Sequence, residues 1–113
     1  MKHKENCVLR LVLTNNWFDK IKSKIKKHEY RLATPFWFNR LLKVTEIKEN
    51  NGKMIFKPFG YVTFQRAYYK NPEMMTFKIK NIYLLENGLN TDLKTEQSVF
   101  DIELGIKKHH PIL

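Results

Sequence analysis

Residues 8–31, VLRLVLTNNWFDKIKSKIKKHEYR, predict a strand, a helix and a second strand in direct succession. Residues 8–13 are apolar apart from Arg10, which is typical of a strand buried on much of both faces. Residues 14–16 are Thr and Asn, which end the strand and are residue types that often cap a helix. The next large apolar side chains recur at helical spacing and predict one apolar stripe: Trp17, Phe18, Ile21 and Ile25.

Residues 28–32 follow the predicted helix and alternate in the manner of a short strand. On a strand, Glu29 and Arg31 lie on the same face, where they are placed to form an ion pair that fixes the direction of the guanidinium. An ordinary exposed ion pair has the same spacing and stabilises a protein by only about 0–1 kcal/mol. The spacing therefore leaves a structural and a functional interpretation open.

The remainder of the chain predicts a second short helix and several strands. Thr34 and Pro35 are typical of a helix start and precede an aromatic segment. A turn at residues 50–52 separates two candidate strands. The candidate strands after this helix start are residues 43–48, 54–56, 61–66, 75–82 and 100–104, with Gly105 ending the last one. Because these strands follow one another without intervening helices, we predict a single α+β domain over residues 1–113, a small mixed β-barrel of about six strands with two helices.

Composition indicates the class of partner. The 113 residues are 42% apolar and 13% aromatic, which is enough to build one core. The 21 Lys and Arg against 11 Asp and Glu give a formal net charge of +10. Such a charge attracts polyanions and repels other copies of the chain, so we expect nucleic acid as the partner and favour a monomer. A lysine-rich surface that serves only solubility has the same composition.

Several classes of protein are not expected from this sequence. Cys7 is the only cysteine, which excludes an internal disulfide and suits a reducing compartment. The charged start and the absence of a stretch near ~20 apolar residues predict a cytoplasmic protein without membrane contact. The four His residues show no pair at metal-ligand spacing in an ordered element, so we predict no metal site and no cofactor.

Basic residues are most concentrated on and just after the predicted first helix. Their positions are Lys20, Lys22, Lys24, Lys26 and Lys27. A solvated helix whose lysine stems cover the edges of the core accounts for them. A cationic helix followed by Glu29 and Arg31 also suits a nucleotide, with Arg31 on phosphate and Glu29 on a base amine.

The order of these segments resembles the ASCH domains. Their early signature is an apolar strand, an aromatic helix ending in Ser-Gly, and Lys-x-x-Glu-x-Arg, which matches Lys26, Glu29 and Arg31 here. Further matches run through the chain: Pro35-x-Trp37, Val62-x-Phe64-x-Arg66 with Tyr68, residues 75–82, and Phe100-x-Ile102-x-Leu104-Gly105. The usual Gly of the helix end is Lys24 in this sequence. The resemblance is greatest to small stand-alone bacterial or phage members.

The resemblance implies a PUA-like barrel with a cleft, beside the first helix, for RNA or a modified nucleoside. One branch of the family hydrolyses N4-acetylcytidine with a lysine, a threonine and a glutamate. Lys26 matches that lysine, whereas Glu29 stands where the threonine belongs, so the hydroxyl nucleophile is missing. The family's glutamate is expected before the final strand, where three acidic residues are available: Glu86, Asp92 and Glu96.

Aromatic residues between positions 56 and 69 are interleaved with basic ones. Stacking of a base on such a ring is worth about 1–3 kcal/mol. Alternating aromatics are more often core, and this is the interpretation we adopt for Phe59 and Phe64. Arg66 and Tyr68 lie at a predicted strand end and are the better candidates for the cleft.

Three functions are therefore open. The first is binding of RNA or a nucleotide in a cleft lined by Lys26, Lys27, Glu29, Arg31, Arg66 and Tyr68. The second is hydrolysis of a modified nucleoside or of RNA, with Lys26 and Glu29 as the catalytic acid and base. The third is a protein-binding adaptor, in which the positive charge is incidental.

Overall fold

The computed structural model describes residues 7–43 and 54–109, and within them two helices and five strands. The strands are β1 (Cys7–Leu13), β2 (His28–Leu32), β3 (Phe59–Arg66), β4 (Met74–Leu85) and β5 (Val99–Lys108). The helices are α1 (Asn15–Lys22) and α2 (Pro35–Leu41). The described part of the chain is an α+β structure, as the sequence predicts.

The five described strands form one sheet in the order β1-β3-β4-β5-β2. β1 is parallel to β3 and β3 is antiparallel to β4, so the sheet is mixed. The register places Leu9 beside Val62 and Val62 beside Phe77, which makes one face of these three strands apolar. Because side chains alternate along a strand, Thr63 and its partner Thr76 lie on the opposite face.

The described residues divide into two units. The first unit contains residues 7–29, 58–81 and 103–109, and the second contains residues 30–43, 54–57 and 82–102. The buried apolar side chains of the first unit are Leu9, Leu11, Leu13, Phe18, Ile21, Val62, Phe64, Met75 and Phe77. Phe18 and Ile21 come from α1, so these two members of the predicted apolar stripe are buried, whereas Trp17 is half-buried.

The end of α1 differs from the prediction. Ile25 is 78% exposed and lies beyond the helix, so the prediction that it continues the apolar stripe is wrong. Lys24 adopts a left-handed conformation with φ 68°, and its amide donates to the carbonyl of Ile21. The amide of Lys26 donates to the carbonyl of Lys20, which completes a helix end of the left-handed type. A residue with a Cβ costs roughly 1 kcal/mol or more in this conformation, and glycine avoids that cost.

The second unit is built on α2 and the first part of β5. Thr34 caps α2, since its Oγ1 accepts from the amide of Trp37 at 3.4 Å, and Pro35 is the first helical residue, as predicted. Phe100 is fully buried and meets the rings of Phe38 and Phe56 edge to face, with centroid distances of 5.1 and 6.1 Å. These aromatic contacts form the centre of the unit's core.

Three of the predicted strands differ from the structure or lie partly outside the described residues. Residues 44–53, with the predicted turn and most of one candidate strand, lie outside the described residues. Phe56 forms an isolated bridge with Leu42 rather than part of a strand. β5 continues through Gly105 to Lys108, so the prediction that the strand ends at Gly105 is wrong. A Cβ at Gly105 would lie 3.3 Å from the carbonyl oxygen of Lys78, which explains a glycine inside a strand by close backbone approach.

Candidate functional site

The first unit contains an open groove with a volume of about 760 Å³. Six of its lining residues are lysines, and a histidine is also present: Lys24, Lys26, Lys27, Lys78, Lys80, Lys107 and His109. The remaining lining residues are Ile21, Phe77, Leu104, Gly105 and Ile106. We call this surface the lysine groove. Its lining contains no Asp or Glu, so it presents positive charge beside aliphatic surface.

The segment after α1 supplies half of these lysines. Its path is fixed by the left-handed turn at Lys24 and by the amide of Leu104, which donates to the carbonyl of Lys27 at 3.0 Å. This second bond joins the segment to β5, because Leu104 lies within that strand. The short bend after the helix therefore places the lysine side chains beside those of β4 and β5.

Lys26 of the lysine groove forms a largely buried ion pair with Glu29, which is not itself a lining residue. Lys26 Nζ lies 3.0 Å from Glu29 Oε1, with only 11% and 6% of the two side chains exposed. The same ammonium lies 4.4 Å from the ring centre of Trp17. The pair between Glu29 and Arg31 that the spacing indicated stays a prediction; the ion pair described for Glu29 is with the lysine three residues earlier.

The four described carboxylates of the first unit are all in ion pairs. Asp19 and Glu73 pair with Arg66, Glu29 pairs with Lys26, and Glu103 pairs with Lys80 at 3.9 Å. Among the described residues, no carboxylate pairs with the other lysines of the groove: Lys24, Lys27, Lys78 and Lys107. These four ammonium groups are therefore placed to receive an anion from solution.

Arg66 joins α1 to the segment before β4. Its Nη2 donates to Asp19 at 2.7 Å and to Glu73 at 3.0 Å, and its guanidinium stacks on Phe18 at 4.4 Å. Lys22 also donates to Glu73. The hydrogen bond from Arg66 lowers the pKa of Asp19, and those from Lys22 and Arg66 lower the pKa of Glu73. The carboxylates raise the pKa of Arg66, so this cluster is ionised at neutral pH.

The predicted ligand residues lie in three places. Lys26 and Lys27 line the lysine groove. Arg66 and Tyr68 belong to the first unit but are not among the lining residues; Tyr68 is 86% exposed on the turn after β3. Arg31 belongs to the second unit, where its guanidinium lies 5.2 Å from the ring centre of Trp37. Whether these residues bind a ligand stays a prediction.

The acidic residues considered for the family's glutamate lie in the second unit. Glu86 and Glu96 are exposed, and Asp92 is partly buried. Burial raises the pKa of Tyr30, and the charges of Asp101 and Asp92 raise it further. The observed effect of Asp92 is therefore electrostatic: its negative charge helps to raise the pKa of Tyr30, a residue of the same unit.

Sequence reasoning missed the part of the groove that comes from β4 and β5. Lys78 and Lys80 are two residues apart on β4, and this spacing puts both on the same face, away from Phe77. Lys107 and His109 come from the end of β5 and the residue just beyond it. The signal for this surface was the Lys-x-Lys alternation within an otherwise apolar strand.

Two further findings concern metals and membranes. Within residues 7–43 and 54–109, no group of three or more His, Cys, Asp or Glu side chains is arranged to hold a metal ion. In the same ranges, no helix has the length and apolar character needed to cross a membrane.

Comparisons with known proteins do not assign this chain to a family. No protein-family model matches this chain, and no curated protein or solved structure is significantly similar to it. The resemblance to the ASCH domains therefore stays a prediction.

Proposed function

We propose that this protein binds RNA or a nucleotide through the lysine groove, as an ASCH-like domain with a PUA-like barrel. The observation that carries the proposal is the set of four lysines that line the groove without pairing with a described carboxylate. Binding of a phosphate chain there releases counterions, and no Asp or Glu is among the lining residues to repel it. Lys26, for which the family resemblance implies a position at the ligand cleft, lines the same groove, and so does Lys27.

The aliphatic surface between the lysines supports the same function. Leu104 and Ile106 line the groove beside the ammonium groups. Lysine stems pack along such surface while their charged ends stay in water, which keeps the charges in one region. Several ammonium groups held close together bind a polyanion more strongly than the same charges spread over the whole surface.

The test is RNA binding as a function of salt. We expect a short labelled RNA to bind with a log–log salt slope of about −3, because four phosphate contacts on a single strand give about 0.7 each. The double variant Lys78→Gln/Lys107→Gln should lower the magnitude of this slope by about 1.4. Fluorescence anisotropy between about 50 and 200 mM salt measures both values.

A matched control separates the groove from the net charge. Lys70 and Lys94 are exposed and are not among the lining residues. The variant Lys70→Gln/Lys94→Gln removes the same charge and should keep the wild-type slope. Equal losses in the two double variants, or RNA binding that does not respond to salt, would contradict the proposal.

The contact between Lys26 and Glu29 favours a second candidate, hydrolysis of a modified nucleoside. An ammonium and a carboxylate 3.0 Å apart, both largely buried, place a candidate acid beside a candidate base. The test is incubation with N4-acetylcytidine and detection of released acetate. Turnover that Lys26→Ala abolishes and Lys24→Ala retains supports this function; no turnover by the wild-type protein contradicts it.

A further inference from the structure

We infer that the lysine groove binds the phosphate backbone of a nucleic-acid strand and does not distinguish its bases. This inference rests on the proposed function and specifies its ligand. Three features of the first unit carry it: the type of cation in the groove, the state of its aromatic rings and arginine, and the state of its carboxylates.

The charged lining of the groove consists of lysines and one histidine, without arginine. A lysine ammonium is a compact charge on a flexible stem and meets a phosphate in many orientations. Arginine reads guanine through a planar fork of two donors. The guanidinium of Arg66 is bonded to Asp19 and Glu73, so this fork is already used within the protein.

Two aromatic rings of the first unit, Trp17 and Tyr61, have cations of the same unit over their faces. Lys20 and Lys26 lie 4.6 and 4.4 Å from the ring centre of Trp17. Lys108 lies 5.0 Å from the ring centre of Tyr61. A base that stacked on these covered faces would displace an ammonium, which opposes stacking. Phe77, the aromatic ring of the groove itself, is buried.

Reading a base also requires acceptors for its amino groups. The strong acceptors of the first unit are its carboxylates, and each described one is in an ion pair. An amino group of cytosine or adenine would have to compete with Lys or Arg for these oxygens. The groove therefore offers donors to phosphate and no uncommitted carboxylate to a base.

The experiment compares labelled oligo(A), oligo(C) and oligo(U) of one length, with inorganic polyphosphate as competitor. We expect dissociation constants within about threefold of one another, because the phosphate contribution is independent of sequence. Polyphosphate should displace all three. Lys78→Gln/Lys107→Gln should weaken all three by the same factor.

A tyrosine variant tests the role of base stacking. Tyr68 is the most exposed ring of the unit, and we expect Tyr68→Ala to leave all three affinities unchanged. A loss of roughly fivefold or more in Tyr68→Ala, the size expected for a stacked base, would overturn the inference. A preference of more than about tenfold for one oligonucleotide would overturn it too, while leaving RNA binding intact. Failure of all three to bind would contradict the proposed function itself.

Discussion

Twelve described residues of the first unit are Lys or Arg and four are Asp or Glu, whereas the second unit has five and four. The first unit joins its elements through Arg66 and contains the buried pair of Lys26 and Glu29. The second unit has Phe100 at the centre of an aromatic cluster. The excess charge of the chain is therefore concentrated in the unit that contains the lysine groove, which charge serving only solubility would not require.

The largest expected effect is a loss of packing in the second unit. Replacing Phe100 by Ala should lower the free energy of unfolding by about 3–5 kcal/mol, because a fully buried ring is removed from contact with Phe38 and Phe56. Urea denaturation measures this value. Phe36→Ala is the control: Phe36 is 64% exposed and should cost under about 1 kcal/mol.

If Phe100→Ala does not fold, Phe100→Leu keeps the experiment informative. It should cost about 1–2 kcal/mol, since it retains most of the apolar volume. Equal stabilities of Phe100→Leu and wild type would show that the aromatic contacts do not hold the second unit.

The next largest effect concerns the buried ion pair of the first unit. Glu29→Gln should lower the free energy of unfolding by about 3 kcal/mol, because the Lys26 ammonium stays largely buried without its carboxylate. Chemical denaturation with Glu96→Gln as control measures it. Glu96 is exposed, and its replacement should change the value by less than about 0.5 kcal/mol. A variant as stable as wild type would mean that the Lys26 ammonium is solvated well enough without its carboxylate, and would contradict a stabilising role of the pair.

A smaller effect concerns the stability of the first unit in acid, because this unit contains Asp19, Glu73 and Arg66. The pKa of Asp19 and that of Glu73 are lowered from 3.8 and 4.5, so their stabilisation is complete above these values and is lost as the pH falls below them. Wild type should lose more thermal stability between pH 5 and pH 3 than Arg66→Gln, which lacks the partner. Arg10→Gln replaces an exposed side chain of β1 and should follow wild type. Identical acid profiles for Arg66→Gln and wild type would contradict the role assigned to Arg66.

The smallest expected effect is a gain. Lys24→Gly should raise the free energy of unfolding by about 1 kcal/mol, because glycine adopts the left-handed conformation without a Cβ penalty. Lys24→Ala removes the same charge and retains the penalty, so it should not be stabilised. Urea denaturation midpoints of the two variants measure the change in stability. An equal gain in both would mean that removal of the charge, and not relief of the backbone strain, stabilises the protein.

The sequence predicted the elements more completely than the site. A nearly continuous apolar run located β1, and alternating apolar residues located β3 and β4. Thr34 with Pro35 located the start of α2, because all these signals are local. The predicted apolar stripe of α1 extended too far, to Ile25. The helix ends earlier because Lys24 adopts a left-handed conformation, which lysine rarely prefers and which no local pattern indicates. The extension of β5 beyond Gly105 was also missed, because the close approach to Lys78 depends on the neighbouring strand.

The site was only half located for a similar reason. Lys26 and Lys27 were identified from one dense segment, but Lys78 and Lys107 lie on distant parts of the chain. Bringing them together requires the strand order, which no short pattern contains. Arg66 was a candidate ligand residue, yet its guanidinium is bonded to Asp19 and Glu73. No sequence pattern had indicated these two ion pairs.

The most direct test of the central claim is an NMR titration of the labelled protein with a short RNA, following every backbone amide. Binding in the lysine groove predicts shift changes at residues 24–27, 78–80 and 104–109 of the first unit, and little change in α2 or near Phe100. Changes centred on Arg31 and Trp37 of the second unit, with those three segments unaffected, would contradict it.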